Sequence, residues 1–168
     1  MPEAFIGLGS NLGDGKKNIL MAWQHLAALP AISSAILSAP YFTSPVDMPS
    51  KQWFTNAIGR LETALSPVEL LSQLLQLENA MGRKRDQGPA RQKGGDRLID
   101  LDILYYDAMT MTTPALILPH PEIQKRLFVL APLAELAPAL LHPVLKKTTL
   151  QMLEELPATG QTVKKTSW

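Results

Sequence analysis

Two aspartates separated by one leucine, Asp100 and Asp102, are the residues whose types and spacing most directly suggest chemistry. In a β-strand, residues two apart point to the same face, so these carboxylates share one face, opposite Ile99, Leu101 and Ile103. Two close carboxylates repel each other, and a bound divalent cation relieves that repulsion. Oxygen ligands of this kind select Mg²⁺, which also accepts phosphate oxygens. The pair predicts a magnesium site for a phosphate ester; the alternative is an exposed strand face with two solvated acids.

The stretch immediately before the aspartates, residues 83–97, is strongly basic. It holds six Arg and Lys residues against two Asp, a net charge of +4, although the whole chain carries only +1. The stretch has no periodicity and contains glycine, which predicts a mobile loop. Because its positive charge lies beside a predicted magnesium site, we expect it to attract a small polyanion such as a polyphosphate.

The composition limits the class of protein. A chain of 168 residues with 46% hydrophobic residues indicates one globular domain, which we place at residues 1–160 with a tail at 161–168. The absence of cysteine excludes disulfides and thiolate metal sites. No apolar run approaches the roughly 20 residues of a membrane span. With a net charge of +1 and no signal peptide, we expect a cytoplasmic protein that binds neither membrane nor nucleic acid.

The hydrophobic pattern predicts the order strand, helix, strand, strand, helix, strand, followed by further helices. The predicted strands are 4–8, 32–42, 54–63 and 98–105. The predicted helices run from Asp14 to about residue 29, over 67–81, from Pro121 toward 130, over 133–141 and over 150–156. This β-α-β-β-α-β order is typical of an α+β protein with an antiparallel sheet and helices on one face.

Other candidate residues are ambiguous when each is taken alone. The glycines between Gly7 and Gly13 lack the G-x-G-x-x-G spacing, so a tight turn between strand and helix fits better than a dinucleotide site. Phe54 and Asn56 combine a ring for stacking with a bidentate amide, although core packing is the commoner role of such a phenylalanine. Residues with ordinary structural interpretations when taken alone are His120 (a helix cap), Arg126 (a solvated helix residue) and Glu78 (a surface residue).

Taken together and in this order, the motifs resemble the 6-hydroxymethyl-7,8-dihydropterin pyrophosphokinases of folate biosynthesis over nearly the whole chain. The most specific segment is 97–103 (RLIDLDI), and the supporting segments are 5–12 (FIGLGSNL), 41–45 (YFTSP), 54–57 (FTNA) and 118–121 (LPHP) with Arg126 and Phe128. The resemblance implies a monomeric ferredoxin-like α+β fold with extra C-terminal helices. It also implies that pyrophosphate passes from ATP to the pterin hydroxymethyl group, leaving AMP.

The resemblance also implies roles for individual residues. Catalytic roles fall on Arg83, Arg97, Asp100 and Asp102, and the two aspartates are expected to bind two Mg²⁺ ions. ATP is expected to contact Glu78, Arg83, Arg85, Arg97, Ile103, His120 and Arg126. The pterin is expected to contact Gly9, Thr43, Val46, Phe54, Asn56 and Phe128, with Phe54 and Phe128 sandwiching its ring.

Two other functions remain open from the sequence. One is a non-catalytic module on the same core, such as an RNA binder, although the chain lacks the Arg/Lys-Gly-Phe strand motif of such modules. The other is a pterin or nucleotide binder that has lost full activity through changes in residues 83–97.

Overall fold

The computed structural model describes residues 1–45, 52–82, 98–158 and 160–168. The α-helices are α1 (Gly15–Ala27), α2 (Pro67–Ala80), α3 (Leu127–Leu136) and α4 (Thr149–Glu155), with a short 3-10 helix at Ile123–Lys125. The strands are β1 (Glu3–Ser10), β2 (Ile32–Leu37), β3 (Tyr41–Thr43), β4 (Phe54–Thr63), β5 (Asp100–Tyr106), β6 (Met111–Thr112), β7 (Ile117–Leu118) and β8 (Val163–Lys165).

The main sheet is antiparallel, with the strand order β5-β1-β4-β3-β8. The ten-residue strand β4 is long enough to pair with two strands along one edge. Its residues 59–63 pair with β2, and its residues 54–56 pair with β3. β6 and β7 form a separate two-stranded sheet. The predicted class, α+β with an antiparallel sheet, is confirmed.

Helices cover both faces of the sheet, and the prediction that they lie on one face is wrong. In β1, Ala4, Ile6 and Leu8 pack into a core with α1 and α2. Phe5 faces the opposite way, into a second core with α3 and α4. The physical reason lies in β1 itself, which is apolar at consecutive positions and therefore has two faces to bury.

The helix starts follow local capping rules that the sequence displays. The Asp14 side chain accepts from the Lys17 backbone N–H at 3.1 Å, which caps α1 as predicted. At α2, Ser66 and Glu69 form the predicted reciprocal capping box, and Pro67 occupies the first turn. These caps fix the residues at which the two helices begin.

Four predicted elements differ from the structure. The helix expected from Pro121 toward residue 130 is divided into the 3-10 helix Ile123–Lys125 and the start of α3 at Leu127, because Arg126 between them has an extended backbone. The strand expected at 32–42 is split into β2 and β3, because Pro40 has no N–H and the buried Ser38 hydroxyl accepts from the Ile58 backbone instead. The helix expected at 133–141 is the end of α3, which tolerates Pro132 and stops at Leu136. The segment 161–168, expected as a tail, contributes β8 to the sheet.

Within the described residues, none of the helices combines the length and apolar character that a membrane crossing needs.

Candidate active site

One row of paired residues crosses the sheet and brings predicted site residues together. Gly9 of β1 pairs with Asp100 on one side and with Asn56 on the other. The row continues from Asn56 to Tyr41 of β3. Since paired residues point to the same face, Asp100 and Asn56 face the same side of the sheet, two strand spacings or roughly 10 Å apart. The predicted metal ligand and the predicted pterin ligand therefore share one surface.

Glycines separate these two residues and keep the surface between them shallow. Gly9 lies between Asp100 and Asn56, and Gly7 lies in the next row between Asp102 and Ile58. A Cβ added at Gly9 would lie 3.0 Å from Asn56 Oδ1, closer than most Cβ contacts. Any side chain at this position would therefore disturb the Asn56 amide and fill the space that a ligand needs.

The acidic strand has the two faces that its sequence predicted. Leu101 and Ile103 are buried in the core shared with α1 and α2. Asp100 and Asp102 lie on the other face and are only half-buried. This arrangement confirms the predicted alternation. It leaves two carboxylates side by side at the surface that also carries Asn56.

Glu78 holds the acidic strand from inside the protein. It lies on the buried face of α2, in line with Leu70 and Leu74, and is only 1% exposed. Its Oε1 accepts from the Leu101 backbone N–H at 2.8 Å, midway between the two aspartates. The structure thus overturns the interpretation of Glu78 as a surface residue. A buried charged acceptor on a backbone N–H is a strong constraint, because its loss leaves a donor unpaired.

The Ile103 side chain is buried, so its backbone N–H and C=O are the groups that could contact a ligand. Along a strand, the N–H and C=O groups of residues two apart point to the same edge. The Leu101 N–H points away from β1 toward Glu78, so the backbone of Ile103 also points away from β1. One residue further on, the Leu104 carbonyl accepts from the His120 N–H at 2.9 Å. Polar groups therefore hydrogen-bond to this edge of β5 on either side of Ile103.

His120 lies in the electrostatic field of the acidic pair and of Arg126. Burial lowers the pKa of His120; the carboxylates of Asp102, Glu122 and Asp100 oppose this, while the positive charge of Arg126 reinforces it. His120 Nδ1 accepts from the Glu122 backbone N–H at 3.2 Å. The 3-10 helix that follows has Glu122 as its N-cap and no side-chain cap, so the interpretation of His120 as a helix cap is wrong.

Arg126 and Phe128 are neighbours at the start of α3. The Arg126 guanidinium carbon lies 5.6 Å from the centre of the Phe128 ring, a cation–π contact that orients the arginine. Phe128 is half-buried and packs against the second core. The ATP residue and the pterin residue predicted here are thus held in one cluster.

Asn56 and Thr43 form a buried polar pair at the other end of the row. Asn56 is 8% exposed and Thr43 is 2% exposed. Asn56 Nδ2 donates to Thr43 Oγ1 at 2.8 Å, which fixes the orientation of the amide. Phe54 pairs with Thr43 two residues before Asn56 and is half-buried. An amide held in one orientation suits a heterocycle with adjacent donors and acceptors.

The donor set fits Mg²⁺ better than a metal that needs a full protein cage. No group of three or more His, Cys, Asp or Glu side chains that could hold a metal occurs within residues 1–45, 52–82, 98–158 and 160–168. Asp100 and Asp102 therefore supply two carboxylates among the described residues. Mg²⁺ is commonly bound in this way, by one or two carboxylates with waters and substrate phosphates as the other ligands.

Four predicted residues lie outside the described part of the chain: Val46, Arg83, Arg85 and Arg97. Their roles remain predictions. The structure brings Gly7 to the site, which was not assigned a part there from sequence, and it shows that Glu78, predicted to contact ATP, accepts from the Leu101 N–H. Gly7 follows from the same two-residue alternation that singles out Gly9. The contact of Glu78 with Leu101 has only a partial signal, the helical spacing that places Glu78 in line with Leu70 and Leu74.

Residues 5–138 match the 7,8-dihydro-6-hydroxymethylpterin-pyrophosphokinase family. The chain is 39% identical over 160 residues to a 2-amino-4-hydroxy-6-hydroxymethyldihydropteridine pyrophosphokinase of Methylorubrum extorquens, covering 95% of this chain and 97% of that protein. It is 40% identical over 133 residues to the Bacillus subtilis protein of the same name, covering 79% of this chain and 77% of that protein.

A solved structure described as HPPK-DHPS in complex with substrates has the same fold, with a TM-score of 0.72 at 13% sequence identity. The match covers 91% of this chain but only 43% of that one. This chain therefore spans less than half of that protein.

Proposed function

Since the chain belongs to the 7,8-dihydro-6-hydroxymethylpterin-pyrophosphokinase family, and so transfers pyrophosphate from ATP to that pterin in folate biosynthesis, we propose that one face of its sheet holds both substrates. The observation that carries this proposal is the row Asp100–Gly9–Asn56 across β5, β1 and β4. Asp100 and Asp102 bind Mg²⁺ with the ATP phosphates, and Asn56 binds the pterin.

At the pterin end, the fixed Asn56 amide reads the polar edge of the ring. Thr43 holds that amide, and Phe54 and Phe128 cover the two faces of the ring. Gly9 lets the pterin lie close to the sheet, because a side chain there would meet Asn56 Oδ1. Val46 completes this pocket through its backbone.

At the ATP end, the phosphates lie over the acidic pair. Asp100 and Asp102 would hold two Mg²⁺ ions, which would supply positive charge beside the phosphate oxygens. His120 and Arg126 hold the nucleotide beside them, and the outward backbone of Ile103 contacts the adenine. Glu78 acts by fixing Leu101 between the two aspartates. From outside the described residues, Arg83, Arg85 and Arg97 add positive charge to the triphosphate.

In the reaction, the pterin hydroxymethyl oxygen bonds to the β-phosphorus of ATP. The bond from that phosphorus to the oxygen bridging the α- and β-phosphates breaks, AMP leaves with that oxygen, and the hydroxyl proton is released. Because both substrates are bound on one rigid sheet, much of the rate comes from alignment.

The same proposal covers the chain as a whole. The strand order, with β5 beside β1 and with β2 and β3 both paired to β4, supports a ferredoxin-like core. Both halves of the site lie on one chain, which supports a monomer forming a single domain, without nucleic-acid or membrane partners. A role in folate biosynthesis supports a cytoplasmic location.

The identity of the nucleotide product tests this proposal. Purified protein is incubated with Mg²⁺, ATP and 6-hydroxymethyl-7,8-dihydropterin, and nucleotides are separated by chromatography. We expect AMP in a 1:1 ratio with the pterin diphosphate and no pterin-dependent ADP. Formation of ADP, or binding of both substrates without turnover, would contradict it; salt-sensitive RNA binding without ATP would favour the RNA-binding module.

A further inference from the structure

We propose that residues 160–168 position the pterin half of the active site, although they contain none of the expected ligand residues. This segment includes β8, which pairs with β3. The inference rests on the proposed assignment of Asn56 and Thr43 to the pterin. The segment lies outside the sequence motifs that contain the expected ligand residues.

The strand that carries Thr43, β3, pairs with the segment along one edge. β3 has only three residues, and a strand of that length with one neighbour has few hydrogen bonds to hold it. β4 lies on one side of β3, and β8 lies on the other. Val163 of β8 pairs with Thr43, and Lys165 pairs with Tyr41. The segment therefore turns an edge strand into an internal one at the residue that orients Asn56.

Ser44, which directly follows Thr43, is hydrogen-bonded to the segment. Its N–H donates to the Thr162 carbonyl at 2.9 Å, and its hydroxyl accepts from the Thr162 N–H at 2.9 Å. Its carbonyl accepts from Gln161 Nε2 at 3.4 Å. Every polar backbone group of Ser44, and its side chain, is bonded to the segment. These bonds fix the position of Ser44, the residue at which the chain leaves β3.

The segment also contacts the start of α1, on the opposite face of the sheet. Lys16 lies in the first turn of α1, and its ammonium donates to the Ser167 carbonyl and to Thr166 Oγ1. The same ammonium lies 5.4 Å from the centre of the Phe42 ring in β3. Lys16 therefore joins the segment, β3 and the helix that follows β1, the strand that carries Gly9.

Two further contacts fasten the segment along β3. The Thr166 N–H donates to the Pro40 carbonyl at 2.9 Å. The Trp168 indole N–H donates to the Ser38 carbonyl at 2.9 Å, before β3 begins. Contacts thus reach from the residues before β3 to the residue after it. Removing the segment would release β3 along its whole outer edge.

The segment is distant from the ATP end. β8 and β5 lie at opposite ends of the strand order, four spacings or about 19 Å apart. Loss of the segment should therefore weaken pterin binding while leaving nucleotide binding nearly intact. A general loss of stability would instead affect both substrates.

A chain ending at residue 158 tests the inference. Dissociation constants for the pterin and for Mg²⁺ with a non-hydrolysable ATP analogue are measured by calorimetry, with folding checked by circular dichroism. We expect the pterin constant to rise by about tenfold or more and the nucleotide constant to change by less than about twofold. Unchanged pterin binding, or equal weakening of both substrates, would overturn the inference.

Point variants decide the matter if the shortened chain does not fold. Lys16→Met removes the ammonium that joins the segment to α1, and Lys17→Met makes the same charge change on the exposed next residue. We expect Lys16→Met, combined with Trp168→Ala, to weaken pterin binding by about threefold to tenfold and Lys17→Met to have no effect. Equal pterin binding in all variants would overturn the inference. Failure of the full chain to bind pterin or form AMP would instead overturn the proposed function.

Discussion

The two ends of the proposed site are built in different ways. At the ATP end, the seven-residue strand β5 carries its two carboxylates on a segment that pairs with β1 and packs into the core. At the pterin end, Thr43 lies on a three-residue strand that depends on β8, more than 100 residues away in the chain. The two proposed metal ligands thus lie two residues apart in one long strand, whereas the proposed pterin residue Thr43 lies in a short strand flanked by a segment distant in sequence. Substitutions at the two ends should therefore affect different substrates.

The largest effect is expected at the acidic pair. Asp100→Asn or Asp102→Asn removes a charged ligand of Mg²⁺, and we expect kcat to fall by about 10³-fold or more, measured as AMP formed per second. Pterin binding should be unchanged, because Asn56 lies two strands away.

Glu154→Gln is the matched control, since it removes a carboxylate from an exposed position in α4. Its kcat should equal that of the unmodified protein. Near-normal activity in both aspartate variants would show that the metal site lies elsewhere.

The next effect is expected at the buried support of the same end. Glu78→Leu leaves the buried Leu101 N–H without its acceptor, at a cost of about 1–3 kcal/mol in the free energy of unfolding. We expect kcat to fall by about tenfold to a hundredfold as the aspartates lose their alignment. Urea unfolding and AMP formation measure the two effects.

Glu78→Gln retains an acceptor oxygen and should recover much of the stability. A Glu78→Leu variant with unchanged stability and kcat would show that the contact with Leu101 does not position the acids.

At the pterin end, the effect should fall on binding. Thr43→Val keeps the shape of the side chain but removes the oxygen that accepts from Asn56 Nδ2. We expect the KM for the pterin to rise by about fivefold to tenfold with the KM for ATP unchanged, because one hydrogen bond is lost. Steady-state kinetics in each substrate measure this.

Thr43→Ser restores an acceptor oxygen and should return the KM for the pterin toward its normal value. Equal changes in both KM values after Thr43→Val would contradict the separation of the two ends.

The smallest effect is expected in the pH dependence of stability at the pterin end. Partial burial raises the pKa of Glu135, but hydrogen bonds from the Ala39 N–H, Tyr41 Oη and Lys165 outweigh this and hold the pKa below its ordinary 4.5. A lowered carboxyl pKa stabilises the folded state above the ordinary value, and this stabilisation is lost as the pH falls through the folded value.

Thermal unfolding should therefore show less loss of stability below about pH 4.5 for Glu135→Gln than for the unmodified protein. An identical loss of thermal stability at low pH in the two proteins would contradict the role of this carboxylate in holding β3.

Sequence reasoning succeeded where the signal is local. The alternation of Asp100 with Leu101, the capping box at Ser66 and the bounds of β4 all follow from residues a few positions apart. It failed where the determinant is distant: β8 is too short and polar to be recognised as a strand until β3 provides a partner. Glu78 was misjudged because a charged residue is usually exposed, and its buried partner, a backbone N–H, has no sequence signal.

The most direct test of the central claim is a crystal structure with Mg²⁺, a non-hydrolysable ATP analogue and 6-hydroxymethyl-7,8-dihydropterin bound together. We expect Mg²⁺ on Asp100 and Asp102, the polar edge of the pterin on Asn56, and the hydroxymethyl oxygen facing the β-phosphorus above Gly9. A pterin bound away from Asn56, or a cation that contacts neither aspartate, would contradict it.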